Sequence, residues 1–348
     1  MSMIYHERPG VYSDYEASSV TATAAASMVV GVAAAADADP GLYTLTSYGA
    51  AAAAFGENSE LTQLCRLLYQ NGAGTVLAAP VTASENYAAA LARITDQHQA
   101  RLLVIGSGTA ADQQTLLEAV QASTAARCEC IGLCGMENPT AASLIARAAQ
   151  LNSERMVLVG PGVFVPEQTD AVSGAYGAAA LAGVLAAQSD PAQPLNGASL
   201  AGLSGVTARY DDTALDSLIR GGVTVLEAGG VQPSVIRGVT TRTKTGGATD
   251  TTYREVNTVL IIDEVIPAIR TALRSRFARA KNNAVTRGAI RTQVQVELES
   301  RVEREIIDSY SAITVAADPT DPTVCLVDFG FTVTHGLSRI YLTAHISV

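Results

Sequence analysis

A short glycine motif is the strongest candidate for ligand chemistry in this sequence. Gly106-Ser107-Gly108 follows an apolar stretch and precedes a helical one, which is where a phosphate-binding loop sits in nucleotide-binding folds. The dinucleotide pattern needs a third glycine, but Ala111 stands there, and no Gly-Lys-Ser/Thr sequence occurs. A tight turn between a strand and a helix is the simpler interpretation.

Three of the five cysteines lie close together, at Cys128, Cys130 and Cys134. Zinc sites usually have four ligands at other spacings, and the nearest histidine in the sequence, His98, lies a helix away. The N-terminus shows no basic segment followed by an apolar core, so we expect no signal peptide. We therefore expect reduced, buried thiols and no metal site.

Nucleophilic catalysis needs a base beside a serine or a cysteine, and the sequence offers few bases. It has four histidines: His6, His98, His335 and His345. Gly202-Leu203-Ser204-Gly205 misses the nucleophile-elbow pattern by one position. Asp211-Asp212 and Asp263-Glu264 are expected to be helix caps or solvated charges. We predict no catalytic site and no cofactor; the alternative is an α/β enzyme or nucleotide-binding protein with an unrecognised site.

The composition limits the class of protein further. A chain of 348 residues with 48% hydrophobic residues predicts two or three domains with substantial cores. Its net charge of -10 argues against a general nucleic-acid binder. Residues 18–36 are uncharged but consist mostly of Ala, Thr and Ser, so we predict no membrane insertion.

The elements between residues 75 and 187 alternate between two periodicities. Apolar extended stretches such as Thr75–Val81 and Arg101–Ile105 are each followed by a helical pattern such as Ala111–Ala126. Strands that alternate with helices predict an α/β fold with a parallel sheet covered on both faces. Gly174–Ala187 is a helix of small residues and is expected to pack closely against another element.

The last hundred residues have a different pattern. Two helices are predicted, Val256–Lys281 and Val285–Ile307, and Pro267 should kink or restart the first. Extended segments follow, and the last of them, Ser338–Val348, alternates between apolar and polar residues. Its apolar positions are Ile340, Leu342, Ala344, Ile346 and Val348. Such a strand at a chain end needs a sheet edge, in its own subunit or in a neighbour.

The first of these helices is unusually basic. Residues 265–296 contain no acidic residue, although the chain as a whole is acidic. The basic positions are Arg270, Arg274, Arg276, Arg279, Lys281, Arg287 and Arg291. One interpretation is a solvated helix whose arginines pair with acidic neighbours elsewhere in the fold; the other is docking on an acidic protein surface.

Short motifs in order along the chain resemble those of contractile tail sheath proteins from phages and phage-tail-like bacteriocins. Each motif is weak alone, but together they span nearly the whole chain. They are Glu7-Arg8-Pro9-Gly10-Val11-Tyr12, Thr21-Ala22-Thr23-Ala24-Ala25 with Val30-Gly31-Val32-Ala33, Phe55-Gly56, Asn71-Gly72-Ala73-Gly74, Leu195-Asn196-Gly197, Gly205-Val206, Gly221-Gly222-Val223-Thr224-Val225-Leu226, Ile236-Arg237-Gly238-Val239-Thr240-Thr241 and Tyr253-Arg254-Glu255-Val256-Asn257.

The resemblance implies a fold and its division into parts. An α/β sheath domain, subtilisin-like but non-catalytic, is joined to a C-terminal α+β domain closed by N-terminal segments. The expected parts are an N-terminal arm (1–19), a segment packing with the C-terminal domain (20–74), the α/β sheath domain (75–243), the C-terminal domain (244–336) and a C-terminal strand arm (337–348).

The resemblance also implies a function without catalysis. Subunits would polymerise as stacked hexameric rings around an inner tube and contract to drive the tube through a cell envelope. The implied partners are other copies of the chain, the tube protein, and baseplate and tail terminator proteins. The implied location is a virion tail or phage-tail-like particle, assembled in the bacterial cytoplasm and released on lysis.

Two sets of residues receive roles from the resemblance. Arms of each subunit would add strands to a neighbour's sheet, and the basic helix would face the tube. The expected strand-exchange residues are Tyr5, Arg8, Val11, Tyr12, Ile340, Leu342, Ala344, Ile346 and Val348. The expected tube contacts are Arg270, Arg274, Arg276, Arg279 and Lys281.

Overall fold

The computed structural model describes residues 28–83, 85–166 and 170–344. Their strands are β1 (Val30–Ala35), β2 (Tyr43–Leu45), β3 (Val76–Val81), β4 (Leu102–Ile105), β5 (Ile131–Gly135), β6 (Met156–Gly160), β7 (Val163–Phe164), β8 (Gly205–Val206), β9 (Val223–Gly229), β10 (Gln232–Arg237), β11 (Lys244–Thr245), β12 (Ala248–Thr249), β13 (Ile307–Tyr310), β14 (Thr314–Ala317), β15 (Cys325–Asp328) and β16 (Phe331–Val333). Their helices are α1 (Tyr48–Phe55), α2 (Glu60–Gln70), α3 (Tyr87–Thr95), α4 (Ala110–Ala125), α5 (Ala141–Leu151), α6 (Gly174–Ala187), α7 (Asp212–Arg220), α8 (Val256–Phe277) and α9 (Ala284–Glu303).

An eight-stranded sheet forms the larger part of the described chain, in the order β10-β9-β6-β5-β4-β1-β3-β2. Strands β1, β3, β4, β5, β6 and β9 are parallel, and the edge strands β2 and β10 are antiparallel to their neighbours. The sequence pattern of alternating strands and helices predicted this parallel α/β sheet, and the prediction is confirmed.

Both faces of the sheet are buried, because helices cover each one. Leu102 and Val104 of β4 point into a core shared with α1, α2 and α6, whereas Leu103 and Ile105 point into a core shared with α3, α4, α5 and α7. Continuous apolar runs of this kind are typical of strands covered on both sides. The small residues of α6 allow close packing, as expected from the sequence: a Cβ at Gly183 would lie 2.6 Å from the carbonyl oxygen of Leu68 in α2.

The N-terminal part of the described chain lies elsewhere than the sequence suggested. We expected residues 20–74 to pack with the C-terminal domain, but β1 lies inside the large sheet, between β3 and β4. The reason is its composition: the run from Val30 to Ala34 is fully or almost fully buried and free of polar residues, which suits a central parallel strand. Residues 1–27 lie outside the described part.

After the β11–β12 hairpin, the described residues of the C-terminal domain form two helices and two further small sheets. Ile261, Val265 and Ile269 of α8 pack with Val294 and Leu298 of α9 in a separate core. The small sheets are two antiparallel pairs, β13 with β16 and β14 with β15. No helix among the described residues is long and apolar enough to cross a membrane.

The described residues bear on two predictions for this domain: they exclude a restart of the first helix at Pro267, but they do not test a strand formed with a neighbouring subunit. Helix α8 continues through Pro267 and does not restart there. The predicted terminal strand Ser338–Val348 shows no strand over its described residues 338–344. A strand needs a hydrogen-bonded partner, and the described part of the chain pairs no strand with residues 338–344.

Candidate functional site

The glycine loop after β4 has acidic surroundings. The side chain of Ser107 donates a hydrogen bond to Asp112, and Thr109 caps helix α4. A Cβ at Gly106 would lie 2.8 Å from the carboxylate of Glu60, and one at Gly108 would lie 3.1 Å from the Cγ of Glu137. Carboxylates around the loop repel a phosphate group, so the geometry argues against the nucleotide-binding alternative.

Two of the three clustered cysteines are buried as expected, whereas Cys128 is half-buried, and His6 and His345 lie outside the described residues. Cys130 and Cys134 are buried, and burial raises the pKa of Cys134 to about 12 and that of Cys130 to about 11. Thiols with such pKa values remain protonated at neutral pH and are poor nucleophiles. Among the described residues, no three His, Cys, Asp or Glu side chains come together as a metal site.

One of the two acidic pairs has the role expected from the sequence, and the other does not. Asp211 is the N-cap of α7 and accepts a hydrogen bond from the backbone of Ala214 at 2.8 Å. Asp263 is neither a cap nor a solvated charge, because its side chain is only 4% exposed and pairs with Arg155. The 3.6-residue period of α8 places Asp263 on the buried face of the helix. The charged pair Asp263-Glu264 in the sequence did not show which face of the helix each residue is on.

Helix α8 uses one of its predicted docking residues inside the fold. The guanidinium of Arg270 binds Glu129 in a two-pronged ion pair, with its Nη2 2.6 Å from Oε1 and its Nη1 3.3 Å from Oε2. The same Nη1 donates to the backbone oxygen of Arg127 at 3.2 Å. Bidentate pairs of this kind fix geometry as well as adding energy. The interpretation in which an arginine pairs with an acidic neighbour therefore holds for Arg270.

The rest of the basic set divides into two groups. Arg276 donates to the side chain of Gln293 and so ties α8 to α9. Arg274, Arg279 and Lys281 are exposed and, among the described residues, form no ion pair. Arg274 lies in the last turn of α8, whereas Arg279 and Lys281 follow its end at Phe277, so the helix is shorter than the predicted Val256–Lys281. These three, which we call the basic tip of α8, form a cationic surface that is free to bind an acidic partner.

The described part of the C-terminal arm exposes large apolar side chains. Ile340 is 79% exposed and Leu342 is 91% exposed, and Tyr341 between them is also exposed. Exposed apolar residues in sequence, rather than scattered singly, indicate an interaction segment. Ala344 is exposed as well, whereas Ile346 and Val348 lie outside the described residues, as do Tyr5, Arg8, Val11 and Tyr12 of the N-terminal arm.

The two small sheets of the C-terminal domain have open edges. In the described part of the chain, β13 pairs with β16 and β14 with β15, and neither pair is extended by a further strand. Their residues are mostly exposed or half-buried. Two-stranded sheets are marginally stable, and free backbone N–H and C=O groups at an edge are a template for an incoming strand.

Sequence reasoning missed the residues that attach α8 to the large sheet, namely Arg101, Glu129 and Arg155. The signal available was a charged residue just before each of three apolar strands. A charged residue before a strand is equally typical of a strand end that faces solvent, so the pattern alone does not predict a contact with α8.

The comparison with protein families decides the identity. A family model described as "Phage tail sheath protein central domain" matches residues 81–241, and one described as "Phage tail sheath C-terminal domain" matches residues 248–347. The chain belongs to the phage tail sheath family. It is therefore a structural sheath subunit, as the motifs along the sequence suggested. No curated protein matches the sequence.

Solved structures share the fold of this sheath protein. A chain of the cryo-EM structure of the anti-feeding prophage (AFP) baseplate, six-fold symmetrised, is similar with a TM-score of 0.75 and 18% identity over 99% of this chain and 100% of that one. The AFP helical sheath in its contracted state gives a TM-score of 0.73 at 18% identity, covering 97% and 99%. The sheath complex of PVC, an extracellular contractile injection system, in its contracted state gives 0.72 at 16% identity, covering 99% of each.

Proposed function

We propose that this sheath protein polymerises as stacked hexameric rings around an inner tube and contracts to drive the tube through a cell envelope. The observation that carries the proposal is the exposed apolar arm at residues 337–344, together with small sheets that have open edges. A chain that leaves both a strand former and strand acceptors unpaired is suited to heterologous contacts, which generate rings and helices. The likeness to a contracted helical sheath and to a six-fold baseplate supports it.

Strand exchange would hold the polymer together. In this proposal the arm around Tyr5–Tyr12 and the segment Ile340–Val348 of one subunit add strands to the β13–β16 or β14–β15 pair of neighbours. Backbone hydrogen bonds between strands do not depend on how the rest of each subunit is rotated, so such links persist while the rings rearrange.

The basic tip of α8 would bind the inner tube. Arg274, Arg279 and Lys281 present positive charge from a protein that is acidic overall. Exposed ion pairs in a wet interface are individually weak, which suits a contact that must be released when the sheath contracts. We assign Arg270 and Arg276 a supporting role, because each already has a partner within the subunit.

The remaining assignments follow from this function. We propose baseplate and tail terminator proteins as partners at the two ends of the sheath. We place the chain in a phage tail or phage-tail-like particle that is assembled in the bacterial cytoplasm and released on lysis. The work of contraction would come from repacking of subunits, without an enzymatic site.

Negative-stain electron microscopy tests the proposal. We expect the purified protein to form hollow tubes with ridges and six-fold symmetry, and co-expression with its tube protein to give longer, narrower sheaths around that tube. Discrete particles that never polymerise, even with the tube protein present, would contradict it. In that case a ligand-dependent shift in melting temperature would be sought for the enzyme alternative.

A further inference from the structure

Three neighbouring strands of the large sheet present a charged side chain to helix α8. Strands β4, β5 and β6 are adjacent and parallel, so their first residues lie along one edge of the sheet. Arg101 immediately precedes β4, Glu129 lies two residues before β5, and Arg155 immediately precedes β6. Each of the three contacts α8, so one helix of the C-terminal domain is attached to one edge of the α/β domain at several points.

Asp263 of α8 is the centre of these contacts. Its carboxylate pairs with the Nη1 of Arg155, and both side chains are largely buried, at 4% and 13% exposure. Its backbone oxygen accepts a hydrogen bond from the Nη2 of Arg101 at 2.8 Å. Glu129, Cys130 and Glu154 lie close enough to influence the charges of this group. A buried pair of this kind is costly to break from one side, because the remaining charge is left without a partner.

Pro267 explains why the backbone of Asp263 needs a donor from outside the helix. In an α-helix the N–H of residue 267 would bond to the carbonyl of residue 263, but proline has no N–H. The carbonyl of Asp263 therefore has no helical partner at that position, and the guanidinium of Arg101 supplies one. This accounts for a helix that runs unbroken from Val256 to Phe277 across a proline.

The contacts lie on both sides of the proline. Asp263 stands four residues before Pro267, and Arg270 stands three residues after it, paired with Glu129 at 2.6 Å. The side chain of Glu129 is only 11% exposed, so this pair is also partly shielded from water. The part of α8 that Pro267 would weaken is therefore the part that contacts the edge of the large sheet.

We propose that Arg101, Glu129 and Arg155 form a clamp between the two domains, with Arg101 as a positioning residue that replaces the hydrogen-bond donor missing at Pro267. The clamp makes α8 a rigid extension of the α/β domain. Its role in the sheath rests on the proposed function: the basic tip lies in the last turn of α8 and in the residues directly after it, beyond the clamp, so the clamp sets where the tip points when the subunit moves.

A double-mutant cycle between Arg101 and Pro267 tests the clamp in the free chain. In the natural background Arg101→Met leaves the carbonyl of Asp263 without a donor, so we expect amide hydrogen exchange in α8 to accelerate about tenfold. In a Pro267→Ala background the new N–H supplies that donor within the helix. There we expect Arg101→Met to accelerate exchange by less than about twofold.

The cycle has clear controls. Arg220→Ala removes one partner of an exposed ion pair within α7 and should leave exchange in α8 unchanged in both backgrounds. If Arg101→Met alone prevents folding, thermal unfolding of the double variant Arg101→Met/Pro267→Ala decides: a folded double variant supports the role of Arg101, and an unfolded one overturns it. Equal acceleration with proline and with alanine at position 267 would overturn the role assigned to Arg101.

A second experiment tests the consequence for the sheath. Asp263→Asn should leave subunits able to polymerise but lower severalfold the fraction of extended sheath bound to the tube, whereas Asp216→Asn in the exposed pair of α7 should not. A normal extended fraction for Asp263→Asn overturns the positioning role. If the natural chain itself never polymerises, the proposed function fails, but the double-mutant cycle still decides whether the clamp exists.

Discussion

The α/β part and the C-terminal part of this chain differ in how far their strands are buried and paired within one subunit. In the α/β part, β4, β5 and β6 are buried throughout. Each of the six parallel strands is hydrogen-bonded to a strand on both sides, because the antiparallel strands β2 and β10 form the two edges. In the C-terminal part, β14 and β15 are mostly exposed, and each strand of the small sheets has one partner in the described chain. The first part is complete within one subunit, and the second leaves groups to be satisfied by a partner.

This difference assigns separate functions to the two parts. A self-contained α/β domain transmits force without changing its fold, because close-packed interiors resist deformation. A domain with open edges and an exposed arm provides the links between subunits. The clamp at Asp263 joins the two parts within each subunit.

The largest predicted effect comes from filling the tightest backbone contact of the α/β part. A Cβ at Gly135 in β5 would lie 2.0 Å from the carbonyl carbon of Gly174 in α6, and neither backbone can move away. We expect Gly135→Val to cost at least about 3 kcal/mol of unfolding free energy. Urea denaturation measures it.

A glycine in the C-terminal part serves as the matched control. Gly288 in α9 has open space around its Cβ position, so Gly288→Ala should stabilise the chain by about 0.5–1 kcal/mol. If Gly135→Val unfolded at the same urea concentration as the natural chain, the contrast in packing between the two parts would be wrong.

The next effect concerns assembly rather than folding. Removal of residues 338–348, or of residues 1–15, should abolish sheath polymers, because each deletion removes a donated strand. The described part of the C-terminal arm is exposed, so its removal should leave the circular dichroism spectrum and the unfolding midpoint nearly unchanged. Polymers of normal appearance from either truncated chain, seen by electron microscopy, would show that the arms do not link subunits.

A smaller effect distinguishes the basic tip from the clamp. Changing Arg274, Arg279 and Lys281 together to Glu should reduce tube-bound extended sheath while sparing contracted polymer, because only the contact with an acidic tube is lost. Arg270→Glu should instead destabilise the free chain by about 2–4 kcal/mol, since it places a like charge beside the partly shielded carboxylate of Glu129. Equal stability of the two variants would contradict this division.

The smallest predicted effect concerns the reactivity of the cysteine thiols towards a labelling reagent. Burial raises the pKa of Cys65 and Cys134 to about 12 and that of Cys130 to about 11, so at pH 8 about one in a thousand of the Cys130 thiols is ionised. Cys128 and Cys325 are half-buried. We expect a water-soluble thiol reagent to label Cys128 and Cys325 in the folded chain and the other three after unfolding. Mass spectrometry locates the labels.

The sequence predicted the elements of this fold better than their partners. Alternating periodicities located the strands and helices of the α/β part because they depend on nearby residues. The ion pair between Arg270 and Glu129 joins residues 141 positions apart, and no local pattern specifies it. The same limit applies to Arg101, whose role depends on a proline in another domain. The lack of a strand at residues 338–344 has a related cause, since the proposed partner is another subunit.

Hydrogen exchange of the free and the polymerised chain tests the central claim most directly. The free state is supplied by a chain lacking residues 1–15 and the assembled state by purified sheath. We predict slow exchange in β1, β4, β5 and β6 in both states, and protection of β13–β16 and residues 338–348 that appears in the sheath alone. Protection of the small sheets that is equally strong in the free chain, or a C-terminal arm that exchanges rapidly even in the sheath, would contradict the account.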